Sequence, residues 1–149
     1  MKVMQLHDIR GWRNHNPGSI RHGNIWHGLR TVQTDDDFCQ FISPEFGIRA
    51  MSRTLNTYYS KHGLRTLREI INRWAPPSEN ETDAYVRSVC QRVGLAEDQR
   101  LPMGIEHMKN PLIKAIIHHQ LGCQPYSDWL IDTSILWDLQ GVPRGLLPN

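Results

Sequence analysis

Ser43-Pro44-Glu45-Phe46-Gly47-Ile48-Arg49-Ala50-Met51-Ser52-Arg53-Thr54-Leu55-Asn56-Thr57-Tyr58 is the stretch whose pattern sets the fold class. Ile48, Met51, Leu55 and Tyr58 recur at the three- and four-residue spacing of one helix face, while Arg49, Arg53 and Asn56 point elsewhere. Ser43 stands at the N-cap, and Pro44 takes the first helical position, where its missing N–H costs nothing. Gly63 provides a left-handed stop.

Downstream the same logic repeats. Thr66-Leu67-Arg68-Glu69 reads as a capping box opening a helix with the stripe Leu67, Ile70, Ile71 and Trp74, stopped by Pro76 and Pro77. Thr82 caps a third helix with Tyr85, Val86, Val89, Cys90 and Val93 inward and Gly94 at its end. Asn110-Pro111 opens a fourth, with Ile113, Ile116 and Ile117 inward and Gly122 closing it. Ser127 opens a fifth containing Trp129, Leu130, Thr133, Leu136 and Trp137, with Gly141 after it. Upstream, residues 1–42 carry Gly11, Pro17, Gly18, Gly23 and Gly28 without a sustained helical period. They read as a turn-rich lobe with a short hairpin pairing Ser19–Arg21 with Asn24–Leu29. The expectation is a mainly α, compact single domain over 1–149. It has an irregular lobe (1–42), a bundle of about five helices (43–141) and a tail (142–149).

Bulk composition narrows the class. A chain of 149 residues, 39% hydrophobic and 21% charged, buries a core without covalent staples. No run approaches a membrane span, and Met1–Asp8 lacks the apolar core of a signal peptide. Synthesis in the cytoplasm is expected, so action on a cell envelope requires delivery to the periplasm by something else. Cys39, Cys90 and Cys123 are odd in number and irregular in spacing, which favours reduced thiols over a disulfide framework. The net charge of +2 names no partner, but residues 1–34 hold five Lys/Arg against Asp8 alone, an excess that favours an anionic ligand there.

Glu45 is the leading candidate for chemistry. A glycosidic bond needs an acid to protonate its leaving oxygen, and a Glu walled by Phe38, Phe41 and Phe46 suits that task. Against it, the first turn of a helix favours the ionised carboxylate, and an acid there commonly serves the dipole. Asn14, Asn16 and Arg21 offer amide and guanidinium donors for sugar hydroxyls or carboxylates, although Asn and Gly also serve tight turns for their own sake. Trp12 and Trp26 suggest a lined groove, and Tyr58 or Tyr59 would wall it. Asp35-Asp36-Asp37 is either a second acid opposite Glu45 or a solvated loop. Trp74–Asn80 is a cleft wall or, preferably, a helix stop. Gln120 continues the Ile113–Ile116–Ile117 stripe, so it anchors a neighbouring turn or touches ligand.

His119 and Cys123 share a helix face, but four closed zinc ligands are not in sight, and no metal or cofactor is expected. Arg49, Arg53, Lys61, Arg65, Arg68 and Arg73 make the middle of the chain basic. With no nucleic-acid-binding motif present, a solvated arginine face is the simpler account, and no nucleic-acid partner is expected.

Arg13-Asn14-His15-Asn16-Pro17-Gly18-Ser19-Ile20-Arg21 resembles the RNNNPGNIR-type turn of phage and prophage virion-associated, lysozyme-like murein-degrading proteins. The likeness continues through Trp26, Gly28, Phe38, Phe41 and Ser43–Ala50, through Thr66 and Ile70–Asn80, and on to Ala115–His119 and Pro125–Ser127. It implies a lysozyme-like domain that cleaves the glycan strands of peptidoglycan as a muramidase or lytic transglycosylase. In that scheme Glu45 is general acid, and Asn14, Asn16, Arg21, Trp26, Tyr58, Tyr59 and Gln120 contact substrate. Peptidoglycan and other virion proteins are the implied partners. The chain departs from the pattern where relatives carry Asn at the positions of His15 and Ser19 and Glu at that of Gln120. An amide cannot protonate a leaving group, so the alternative is a non-catalytic lysozyme-like virion structural or interaction protein.

Overall fold

The computed structural model describes residues 5–147; Met1–Met4 and the Pro148–Asn149 end of the expected tail lie outside the described residues. The fold is mainly helical. A single 3-10 turn, Leu6–Asp8, precedes α1 (Arg10–Arg13), α2 (Pro44–Ser60), α3 (Leu67–Trp74), α4 (Thr82–Val93), α5 (Lys109–Leu121) and α6 (Asp128–Gln140). No helix among the described residues is long and apolar enough to cross a membrane.

Local sequence explains most boundaries. Thr66 accepts from the Glu69 amide while Glu69 accepts from the Thr66 amide, closing the expected box. Gly94 and Gly122 sit in the left-handed region at φ 84° and 77°, ending α4 and α5. Other caps differ. Ser43 flanks α2 without a side-chain cap bond. Glu81, not Thr82, is the N-cap of α4, because the Thr82 hydroxyl donates instead to the Ala75 carbonyl at 2.6 Å. α5 begins at Lys109, one residue before Asn110.

The main core gathers Ile48, Met51 and Leu55 of α2 with Leu67, Ile70 and Ile71 of α3, and with the apolar faces of α4 and α5. Helix α6 contributes Ile131 and Ile135. Its phase differs from a Trp129–Leu136 face: Trp129 and Leu136 are exposed, and the buried side is Ile131, Ser134 and Ile135. A second cluster, Cys39, Phe41, Phe46 and Ala50, joins the lobe to the N-terminal half of α2.

The lobe is not a Ser19–Arg21/Asn24–Leu29 hairpin. Both segments pair instead with residues 38–41, through isolated antiparallel bridges Arg21–Phe38 and Leu29–Phe41. Its polar centre is Asp35, which accepts from Arg10 at 2.6 and 2.5 Å, from Asn14 at 2.9 Å and from the amides of Asp37 and Phe38. The Arg10 guanidinium is the first cause holding this carboxyl well below the usual carboxylate range. α2 docks so closely that a Cβ on Gly47 would run into the His15 carbonyl oxygen. His15 and Ser19 themselves lie at φ 50° and 52°, a conformation in which Asn is favoured over most residues.

Candidate functional site

One open cleft of about 820 Å³ lies between the lobe and the outer faces of α2 and α3. The Pro17-Gly18 turn fixes its floor. A Cβ on Gly18 would sit 2.8 Å from Met51 Cγ and 2.9 Å from the Trp74 ring. Trp74 Nε1 also donates to the Gly18 carbonyl at 3.1 Å. Trp26, Tyr58 and Trp74 supply aromatic walls, and the rings of Tyr58 and Trp74 meet edge-on at 6.0 Å.

The other lining is cationic. Arg49 and Arg53 come from successive turns of α2, Arg73 from α3, Arg21 from the lobe, with His27 and His62 beside them. Arg73 lies over the Tyr58 ring at 5.4 Å. Glu79 is the one carboxylate among the lining residues, and Arg21 donates to it at 3.2 Å. Partial desolvation, then the charges of Arg49 and Arg53, push His27 below its ordinary value.

Three of the residues singled out in the sequence, Arg21, Trp26 and Tyr58, meet in this cleft. Others do not. Glu45 is half-buried and outside the lining, one helical turn before Arg49 on the 45–49–53 row, with no side-chain hydrogen bond or ion pair among the described residues. Asn14 and Asn16 are buried and committed to protein. Asn14 bridges Asp35 and Gln40, and Asn16 binds the Ile20 amide and the Ile20 and Cys39 carbonyls at 2.9–3.0 Å. The expected substrate contacts of these two amides are thus corrected: their hydrogen-bonding capacity builds the lobe. Tyr59 stacks under Arg65, whose guanidinium lies 3.8 Å from its ring, and is absent from the cleft lining.

Gln120 anchors a neighbouring turn. Its amide donates to Tyr85 Oη at 2.9 Å and accepts from Ser19 Oγ at 3.2 Å. Asp35 is held in the lobe by Arg10 while Asp36 and Asp37 are exposed, and Trp12 stacks on Tyr126. Phe41 and Phe46 are core residues. Among the described residues, no group of three or more His, Cys, Asp or Glu is placed to hold a metal. The three cysteines are free thiols.

Sequence reading underrated Arg49, Arg53, Arg73, Trp74 and Glu79. The arginines had been assigned to a solvated face, yet Arg49 is only 7% exposed. Their signal was present: Arg49, Arg53 and Thr57 recur every four residues along one row of α2.

No protein-family model matches the chain. It is 35% identical over 136 residues to Protein P5 of Pseudoalteromonas phage PM2, an alignment spanning 89% of this chain and 83% of that protein. The shared stretch takes in both the lobe and the helices that form the cleft, and at this identity and coverage the chain belongs to the family of phage PM2 Protein P5.

Proposed function

We propose that the chain is a virion-associated, lysozyme-like phage protein. It binds the glycan strands of host peptidoglycan along this cleft and cleaves them, as a muramidase or lytic transglycosylase, with Glu45 as general acid. The carrying observation is one open cleft of about 820 Å³ in which Trp26, Tyr58 and Trp74 stand as faces for sugar rings beside convergent guanidinium donors. Kinship with a phage protein and the resemblance of the Arg13–Arg21 and Ser43–Ala50 motifs to murein-degrading phage proteins support it. Carriage in the virion would deliver such a protein to the periplasm.

Glu45, one turn before Arg49 and with no competing polar partner among the described residues, is free to turn toward a strand lying along the cleft. Asp35 is engaged by Arg10, and Glu79, the one carboxylate among the lining residues, by Arg21. A single-acid route, in which a hydroxyl of the sugar itself attacks the anomeric carbon as Glu45 protonates the leaving oxygen and the resulting carboxylate takes up the hydroxyl's proton, suits that inventory. The test is chromatography of muropeptides released from purified murein. Anhydro-ended products are expected, with loss of about 100-fold or more in Glu45→Gln and little change in Glu79→Gln.

A second reading is favoured by one observation: Glu45 lies outside the cleft lining, and Gln120 is spent on Ser19 and Tyr85. A non-catalytic module would then use the cleft to hold peptidoglycan or another virion protein. Murein pull-down without any released product would establish it. Clearing that persists in Glu45→Gln would reject the assigned acid while keeping the enzyme.

A further inference from the structure

Arg49 is a buried cation without a counter-ion. The residue is 7% exposed and lines the cleft, and its Nε is buried with no acceptor among the described residues. Asp138 and Glu79 are taken, and Glu45, one turn earlier on the same row, forms no ion pair with it among the described residues. Asp138 accepts from Arg53 at 3.1 Å, from Lys109 at 3.0 Å, from Ser52 at 2.5 Å and from Asn56 at 3.2 Å. Glu79 is held by Arg21. Burial and the neighbouring Arg53 charge both push Arg49 down, against a smaller pull from Asp138. A second orphan lies in the same cleft: Trp26 Nε1 is buried with no acceptor. Arg73, also lining it, forms no ion pair among the described residues.

An unpaired buried charge is costly to keep, and its removal is commonly neutral or stabilising for a fold. Residues of that kind persist where a ligand completes them. We propose that the Arg49 corner of the cleft is an anion subsite that takes the free lactyl carboxylate of a muramyl residue carrying no peptide stem. This rests on the reading of the cleft as a glycan site. A guanidinium fork matches a planar carboxylate in shape and charge, and one monoanion neutralises the one buried charge. The aromatic walls on either side would hold the sugar that carries it.

The experiment is calorimetric titration with a glucosaminyl–muramyl tetrasaccharide bearing free lactyl carboxylates, and with the same tetrasaccharide as its methylamide. The intact protein is expected to bind the free acid about ten times or more tighter than the amide, as for one charge-assisted contact. Arg49→Met should bring that ratio near one. It should also raise Tm by about 2–4 °C, whereas a purely structural arginine would lower it. Arg49→Lys, keeping the charge, should retain a preference for the acid. Equal affinities in the intact protein, or a preference surviving in Arg49→Met, overturn the subsite and leave the glycan reading standing. Inorganic phosphate displacing the free acid at lower concentration than acetate does would also overturn it. Failure of both tetrasaccharides to bind removes the glycan reading itself.

Discussion

Lys109 Nζ lies 3.0 Å from Asp138 Oδ2, with the two side chains 0% and 1% exposed. The pair ties α5 to α6, and Arg53, Ser52 and Asn56 bring α2 to the same carboxylate. Three helices thus meet on one acid inside an otherwise apolar bundle. Because Asp138 is the shared acceptor, Asp138→Ala leaves the buried Lys109 ammonium with the half-exposed Glu106 alone and strands the Ser52 hydroxyl and Asn56 amide at once. We expect a loss of about 3–5 kcal/mol in urea unfolding. A change under about 1 kcal/mol would show the knot to be incidental.

Asn16 offers a sharper separation of structural from binding roles. Its amide is wholly buried and satisfies one backbone donor and two backbone acceptors. Asn16→Ala leaves those groups unpaired, so a loss of at least about 2 kcal/mol is expected in denaturant titration. Affinity for a glycan, measured on the fraction that remains folded, should not change.

Gly47→Ala is predicted to be the most damaging small substitution in α2. The added methyl meets the His15 carbonyl oxygen, a backbone atom that cannot swing aside. Separating helix from lobe would also open the Phe46–Phe41 cluster. A cost of about 3 kcal/mol is expected from overpacking. Thermal unfolding of this variant should begin with the tryptophan signal of the lobe.

The Asp35–Arg10 pair sets an acid limb. The folded-state carboxyl is held well below its unfolded value of about 4, so its contribution is complete above that pH and is lost as pH falls through and below it. Asp35→Asn should therefore lower Tm at pH 7, and the gap between the two proteins should narrow steadily below about pH 4. A constant gap from pH 7 to pH 3 would contradict the assignment.

Gln120→Glu tests whether the amide conceals a lost acid. A carboxylate can accept from both Ser19 Oγ and Tyr85 Oη, so the fold should tolerate it with a change under about 1 kcal/mol. Since Gln120 is outside the cleft lining, muropeptide release should stay at the parent level. A large gain would relocate the proton donor to this helix.

What could be read from the chain followed the range of the interaction. Thr66 and Glu69 form their box because both partners lie within one turn, and Gly94 and Gly122 end helices for a reason internal to the glycine. α6 was legible as a helix but not in phase: apolar Trp129, Leu130, Leu136 and Leu139 surround its axis, so no one face stands out. Pairing of residues 38–41 with both 21 and 29 depends on contacts across loops, which alternation cannot reveal. Within the cleft, Trp26 and Tyr58 were recoverable as aromatic walls. Arg49 shows its row with Arg53 and Thr57 but not its burial, because arginine on a polar helix row ordinarily means water. Asn14 and Asn16 misled for the converse reason, since amides in a glycine-rich turn look available and here are fully used.

Gly18 and Trp74 are joined by a hydrogen bond across 56 residues of chain, and Ser19 and Gln120 by one across 101. The two banks of the cleft are thus distant in sequence, and only the completed bundle holds them apart at the right width. A molecule gripping both banks becomes a tether on the entire chain. At a free concentration one hundred times its dissociation constant it would add about 2.7 kcal/mol against unfolding, and amide exchange would slow in the lobe as well as in α3. Occupancy can therefore be followed by the molecule's own resistance to heat, before any product is sought.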